Sequence, residues 1–411
     1  MDNKKVAQPD SFRIDVSAAE SLIYEVMPAY DSELVQLADA TGQILRQKIV
    51  AERDQPPFNR ATMDGIAISS SALHKQTRQF EIAGIQAAGQ PAQQLVSPDE
   101  CFEVMTGAVL PAGTDTVIPV ERINVSGEAA ELEQGYTPEP GQFVHLQASD
   151  HAQGDTLLEP GVPIQGPEMA ILTAAGSAQV KITRSPGIAV ISTGDELVDV
   201  GTEIAEFQIR SSNDRAIETC LHLHGYSRTI RSQLPDDPES LRSHIQVLHE
   251  ENDVLILSGG VSMGKYDYIP AILKELGIRV VFHKILQRPG LPMWFGVSAD
   301  NKPVFALPGN PVSTIVCCIR YVIPALFRAV GKIATQPERV KLSEAVNFNA
   351  DLTWFLPVKL HWDNDGTALA TPRPTHTSGD FIGLRGTDGF IELPRGTDIF
   401  PAGFTATLYR W

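Results

Sequence analysis

The sequence predicts a multidomain protein of α/β plus β class, with a central, doubly wound, mostly parallel α/β domain between β-rich parts. Three observations carry this. The chain has 411 residues, too many for one ordinary domain. From Pro186 onward, near-continuous apolar runs such as GIAVIST and DVLILSGG alternate with helical patterns, as in a parallel sheet covered on both faces. On either side of that stretch, short β-like runs are broken by Gly, Pro and Ser.

Residues up to about Ser11 read as a loose tail. SAAESLIYEVMPA then reads as a helix, ELVQL as a short strand and ATGQILRQKI as a second helix. QFEIAGI, CFEVMTGAVL and TDTVIPVERINV form a β-rich module, and a short helix is expected at about Pro167–Ala175. In the α/β part, NDRAIETCLHLHG has the polar start and Gly stop of a helix. SRTIRSQL is a strand, DPESLRSHIQVLHE and YIPAILKELG are helices, and RVVFHKI and KPVFALPG are strands. A long helix follows from about Val312 to Val330. VKLSEAV, FLPVKLHW, GFIELP and FTATLYRW make a final β domain. The expected domains are a discontinuous linker domain at 13–49 and 140–184, a β-rich insertion at 50–139, the α/β domain at 185–333 and a small barrel-like β domain at 334–411.

The formal charge of −17, without a Lys/Arg-dense stripe, argues against nucleic acid as a partner. A small anion is still compatible, because local donors outweigh a distant, screened surface. No apolar run reaches bilayer length, and no apolar stretch follows the N-terminal lysines, so neither a membrane span nor a secretory signal is expected. Cys101, Cys220, Cys317 and Cys318 form no CxxC pair and read as reduced structural thiols of a cytoplasmic protein. His222 and His224, two apart on a helix, face different ways and make no ligand pair.

In an open α/β sheet, ligands bind beyond the carboxyl ends of the strands. Four such ends carry unusual loops. Ser192, Thr193 and Gly194, followed by Asp195 and Glu196, allow close backbone approach beside an acid, and equally suit a plain turn. Ser258, Gly259, Gly260, Ser262 and Gly264 suit a phosphate cradle of N–H groups, although the run is neither a Walker loop nor GxGxxG. Pro308, Gly309, Asn310 and Pro311 impose a stiff loop, or simply punctuate a helix entry. Asp236-Asp237-Pro238 taken singly is a helix cap; with Glu196 and Asp267 it offers hard oxygen ligands suited to Mg²⁺.

At these loops the sequence resembles the MoeA family of molybdopterin molybdenumtransferases, which includes the E domains of gephyrin and plant Cnx1. The resemblance rests on PPFNRATMDGIAI (56–68), EVMTGAVLPAGTDTVIPVE (103–121), VISTGDEL (190–197), LILSGGVSMGKYDY (255–268) and FALPGNPVS (305–313). It implies an elongated, L-shaped homodimer of four-domain subunits with a MogA/MoaB-like α/β domain. The implied reaction inserts molybdate into adenylylated molybdopterin with Mg²⁺ and releases AMP. Molybdopterin adenylyltransferase and other proteins of the pathway are further expected partners. Carried over by position, the family's functional residues fall on Asp64, Thr106, Asp150, Glu196, Asp236, Asp267, Pro308 and Pro311. The resemblance puts Asp64 and Thr106 over the partner's α/β domain.

The sequence departs from the family where anions would be held. Many members have KPGK where this chain has Arg288-Pro289-Gly290-Leu291, and the family's C-terminal Arg aligns with Pro357. The family's serine survives as Ser378. A tetrahedral dianion needs several fixed donors. Arg288, Lys284, Lys359 and Arg385 are the available substitutes. A diverged paralogue that binds without metal insertion is therefore the alternative, with a molybdopterin adenylyltransferase a more distant third.

Overall fold

The computed structural model describes residues 13–260 and 268–411, so the tail expected before Ser11 lies outside the described residues. By internal contacts the chain forms two compact units. One holds the chain up to Arg46, Gly161–Ile164 and Lys181–Trp411; the other holds Gln47–Pro160 and Gln165–Val180.

The first unit is organised by a six-stranded sheet. Its strands are β1 (Ile188–Thr193), β2 (Thr229–Leu234), β3 (Val254–Ser258), β4 (Arg279–His283), β5 (Trp294–Val297) and β6 (Pro303–Leu307). The spatial order is β2-β1-β3-β6-β5-β4. Neighbours from β2 to β6 pair in parallel, whereas β5 runs antiparallel to both β6 and β4. Strand β5, WFGV, gives no signal in the sequence: it lies between the loop containing Pro292 and a turn at Ala299 and Asp300, and it is too short to show a period.

The continuous apolar runs are explained by burial on both faces. Ile188, Val190, Val254, Ile256, Phe305 and Leu307 join one core, with Ile217 and Leu221 of helix α1 (Asn213–Leu223). The alternate residues Ala189, Ile191, Leu255, Leu257, Val304 and Ala306 join another. That second face is covered by Leu241 and Ile245 of α2 (Pro238–Glu251) and Ile272 and Leu273 of α3 (Ile269–Glu275). Successive side chains on a strand point to opposite faces, so only a run apolar throughout can fill both.

The expected long helix is α4, Pro311–Ala329. It runs through a π turn at Cys318–Val322, just before Pro324, whose ring and missing N–H disturb the bond to the preceding turn. Contrary to expectation, its 19 residues are long and apolar enough to cross a membrane, but 78% of the most apolar window is buried, as in a core helix. Within α4, buried Arg320 pairs with Glu20 at 3.2 Å and Glu392 at 2.9 Å, fastening the N-terminal helix Val16–Val26 and the last domain to it.

The C-terminal strands Thr353–Trp362, Ala368–Pro372, Arg339–Leu342, Thr405–Arg410 and Gly389–Leu393 pair in that order, and the last pairs back with the first. The result is a closed five-stranded barrel. The helix expected at ATGQILRQKI is absent. Gly42 takes a left-handed φ of 76°, Leu45 bridges to Ile182, and Ile44 to Pro163, so the apolar residues there serve β-type pairing.

The second unit contains a six-stranded, mainly antiparallel sheet. It includes Gly65–Ile68, Gln79–Gln86, Glu100–Val104 and Thr116–Pro119 from the expected β-rich stretch. A Cβ at Gly65 would lie 1.9 Å from the Ile118 carbonyl oxygen, so the adjoining strand requires glycine there.

Candidate functional site

Strand register in the first unit brings three loops together. Ser192 at the end of β1 pairs with Ser258 at the end of β3, and Ser258 pairs with Leu307 at the end of β6. The chain leaves β1 toward β2 on one side and returns to β3 on the other, so the β1/β3 boundary is the switch point where open α/β sheets form a crevice. A cleft of about 1010 Å³ opens there. Its lining includes Ser192, Thr193, Glu196, Asp236, Ser258, Gly259, Gly260, Pro308, Gly309, Asn310 and Pro311.

Glycine is required at the centre. Gly259 and Gly260 take φ of 99° and 65°; a Cβ on Gly259 would sit 2.9 Å from the Thr193 carbonyl oxygen, and one on Gly260 2.7 Å from Ile269 Cγ1. Gly194 has φ of 150°, and a Cβ there would meet the Glu196 carboxylate at 2.8 Å. The double acid after β2 divides its work. Asp237 caps α2 by accepting from Ser240 N at 2.8 Å. Asp236 lines the cleft, and its own N–H donates to Asp195 Oδ1 at 3.0 Å.

The cleft walls hold polar atoms that find no partner among the described residues. Ser192 Oγ, Thr193 Oγ1 and Asn213 Oδ1 are buried without hydrogen-bond partners. Such groups ordinarily cost free energy unless a ligand or water engages them. Asn213 carries no signal in the sequence, where SSND reads as an ordinary helix start. The neighbouring N-cap residue Ser212 makes no side-chain cap, and Asn213 Nδ2 instead donates to Ser258 Oγ at 2.9 Å and to Gly309 O at 2.8 Å. That amide ties the ends of β3 and β6 to the start of α1. The helix start is fixed in turn by buried Asp214, which accepts from Ser211 Oγ and Arg231.

Asp267, Ser262 and Gly264 lie outside the described residues. Among the described residues no group of three metal-ligating side chains is found. Glu196 and Asp236 nevertheless face one cleft, and Mg²⁺ characteristically takes one or two carboxylates with ligand phosphates.

A second cavity, of about 590 Å³, lies between the α/β domain and the barrel and shares Pro292, Pro308 and Asn310 with the cleft. Arg288 and Ser378 line it, as do Leu291 and Pro357, the positions where the resemblance lacks its cations. Asn310 Nδ2 donates to Ser378 Oγ at 2.7 Å, linking the two cavities. Arg288 stands 6.0 Å from the ring centre of Phe348. Of the four candidate substitute cations, Arg288 alone is among the lining residues. Lys359 is engaged 2.9 Å from Asp388 instead.

Asp64, Thr106 and Asp150 belong to the second unit. Asp64 Oδ1 accepts from Thr106 N at 2.6 Å and Thr106 Oγ1 at 2.8 Å, and these bonds, the backbone one first, hold its carboxyl below the usual range. Asp150 accepts from His145 Nε2 at 2.9 Å. All four cysteines are free, with Cys101, Cys317 and Cys318 buried.

An open sheet with a hydroxyl- and glycine-lined cleft at its switch point defines an α/β ligand-binding class, and residues 189–328 match the family model described as a probable molybdopterin binding domain. Residues 14–176 match the MoeA N-terminal region (domains I and II), and 339–411 the MoeA C-terminal region (domain IV). The chain belongs to the MoeA family. It is 38% identical to a molybdopterin molybdenumtransferase of Synechocystis sp., across 97% of this chain and 100% of that one. A Nostoc sp. protein of the same name is 30% identical, with 93% and 90% covered. The crystal structure of a molybdopterin biosynthesis MoeA protein from Pyrococcus horikosii superposes with a TM-score of 0.81 at 30% identity, covering 97% and 99%.

Proposed function

We propose that this chain is a molybdopterin molybdenumtransferase, which inserts molybdate into adenylylated molybdopterin and releases AMP. The observation that carries the reading is the register Ser192–Ser258–Leu307, which gathers Glu196, Asp236 and the Gly259–Gly260 turn around one cleft. Curated relatives of this name, matched along nearly their whole length, support it. They also weigh against an adenylyltransferase and against a paralogue that only binds.

In this reading the backbone at Gly259 and Gly260 and the hydroxyls of Ser192 and Thr193 hold the phosphate groups. Glu196 and Asp236, with Asp267, would hold Mg²⁺, whose positive charge would offset that of the adenylyl group's phosphate. Gly194, Pro308, Gly309, Asn310 and Pro311 shape the crevice, and Arg288 and Ser378 face molybdate in the adjoining cavity. The enzyme works in the cytoplasm as a homodimer, a second copy supplying Asp64, Thr106 and Asp150. The test is to give purified protein adenylylated molybdopterin, Mg²⁺ and molybdate. AMP release that depends on molybdate is expected; none at any molybdate concentration rejects the assignment.

A further inference from the structure

In the second unit, the short strands Arg60–Ala61 and Val144–His145 pair antiparallel, placing His145 opposite Arg60. The imidazole is gripped at both nitrogens. Arg60 Nη2 lies 3.1 Å from Nδ1, and Asp150 Oδ1 lies 2.9 Å from Nε2. Guanidinium has no acceptor, so Arg60 must donate and Nδ1 must present a lone pair. The ring is then neutral, its proton sits on Nε2, and that N–H donates to Asp150. The partners' chemistry fixes the tautomer without reference to hydrogen positions.

The backbone carrying Asp150 is secured independently. Asp150 N donates to Gln55 O at 2.9 Å, and Gln147 N donates to Asn59 Oδ1 at 2.8 Å. What those bonds leave open is the direction of the carboxylate. Its one side-chain hydrogen bond among the described residues comes from His145. We infer that His145 is a positioning residue for Asp150: Arg60 sets its tautomer, and its Nε2–H aims the carboxylate. The inference rests on the proposed role of Asp150 and adds a residue to it.

Two isosteric substitutions separate this role from simple strand packing. His145→Gln keeps a donor where Nε2 stood and loses the Arg60 acceptor. His145→Asn keeps an acceptor near Nδ1 and loses the donor to Asp150. Positioning predicts that Gln retains most of kcat for molybdate-dependent AMP release. Asn and Ala should lose roughly 10–100-fold at similar KM and Tm, as expected for a supporting partner of a functional group. Equal kcat for Gln and Asn overturns the inference. A second readout does not need turnover. Imidazole NMR of the full labelled chain should show a bare Nδ1 and a protonated Nε2. The carboxyl carbon resonance of Asp150 should move in Asn but stay in Gln. An imidazolium, or a proton on Nδ1, overturns the inference even in an active enzyme. The expected resonances in a protein that releases no AMP would instead reject the assigned reaction and leave the relay standing.

Discussion

The cleft at the strand ends is walled by glycines, hydroxyls, two carboxylates and Arg210 together with apolar Leu197, Ile204, Ile209 and Phe381, while the cavity beside the barrel sets Arg288 among Phe348, Trp354 and Leu291 and the polar Asn347, Thr375, His376 and Ser378. In the first, the buried hydroxyls of Ser192 and Thr193 find no partner among the described residues, so their dipoles are available to a ligand. In the second, Arg288 is the one Lys or Arg among the described lining residues, set between aromatic and polar side chains. A lone cation in such surroundings attracts a dianion strongly per contact but with few contacts. Under the proposed function, the contrast assigns the two anionic groups to different places: phosphate to the backbone and carboxylates of the cleft, and the oxyanion to the cavity that holds Arg288.

The sharpest test of the cleft is to remove its charges. Glu196→Gln and Asp236→Asn should each lower kcat for AMP release by about 10²–10³-fold, the usual scale for one electrostatic group, with Tm nearly unchanged. Full activity in both would break the comparison at its stronger side. Asn213→Ala removes the two bonds that tie β3 and β6 to α1 and should cost about 10–100-fold in kcat/KM. In the smaller cavity the sign reverses. Leu291→Lys should tighten the apparent molybdate affinity about tenfold, corresponding to roughly 1.5 kcal/mol for a bond to a charged group. No gain in a titration would mean the cavity is not limited by cations. The smallest effect concerns a thiol behind the lining residue Gln287. Cys317 Sγ lies within 3.5 Å of Gln287 Nε2, and burial pushes its thiol up to about 12. The thiolate is the reactive form, so at pH 8 mass spectrometry should find Cys317 unalkylated in the folded protein and modified after denaturation.

The cleft is legible because its parts are local signals: β1 and β3 are apolar runs halted by Ser and Gly, β6 is one halted by Pro and Gly, and the sheet rule collects such ends on one edge. Asn213 escaped because a polar residue at a helix start has an ordinary explanation, and only the register shows which carbonyl it reaches. The smaller cavity left no local sign, since it gathers residues around 287–292, 308–313, 347–357 and 374–378. The supposed helix at ATGQILRQKI failed for a related reason. Its apolar spacing suits two periods, and the choice belongs to distant partners, Pro163 and Ile182. Strand Ala368–Pro372 is likewise unmarked, because its place is set by its neighbours Thr353–Trp362 and Arg339–Leu342 rather than by its own spacing.

That closure has a consequence for how the C-terminal part meets other molecules. With each of its five strands bonded on both flanks, the barrel itself has no edge strand to recruit a foreign one. It is therefore guarded against runaway self-templating. Any protein docking there must read side chains, such as the exposed indole of Trp362, instead of extending the weave.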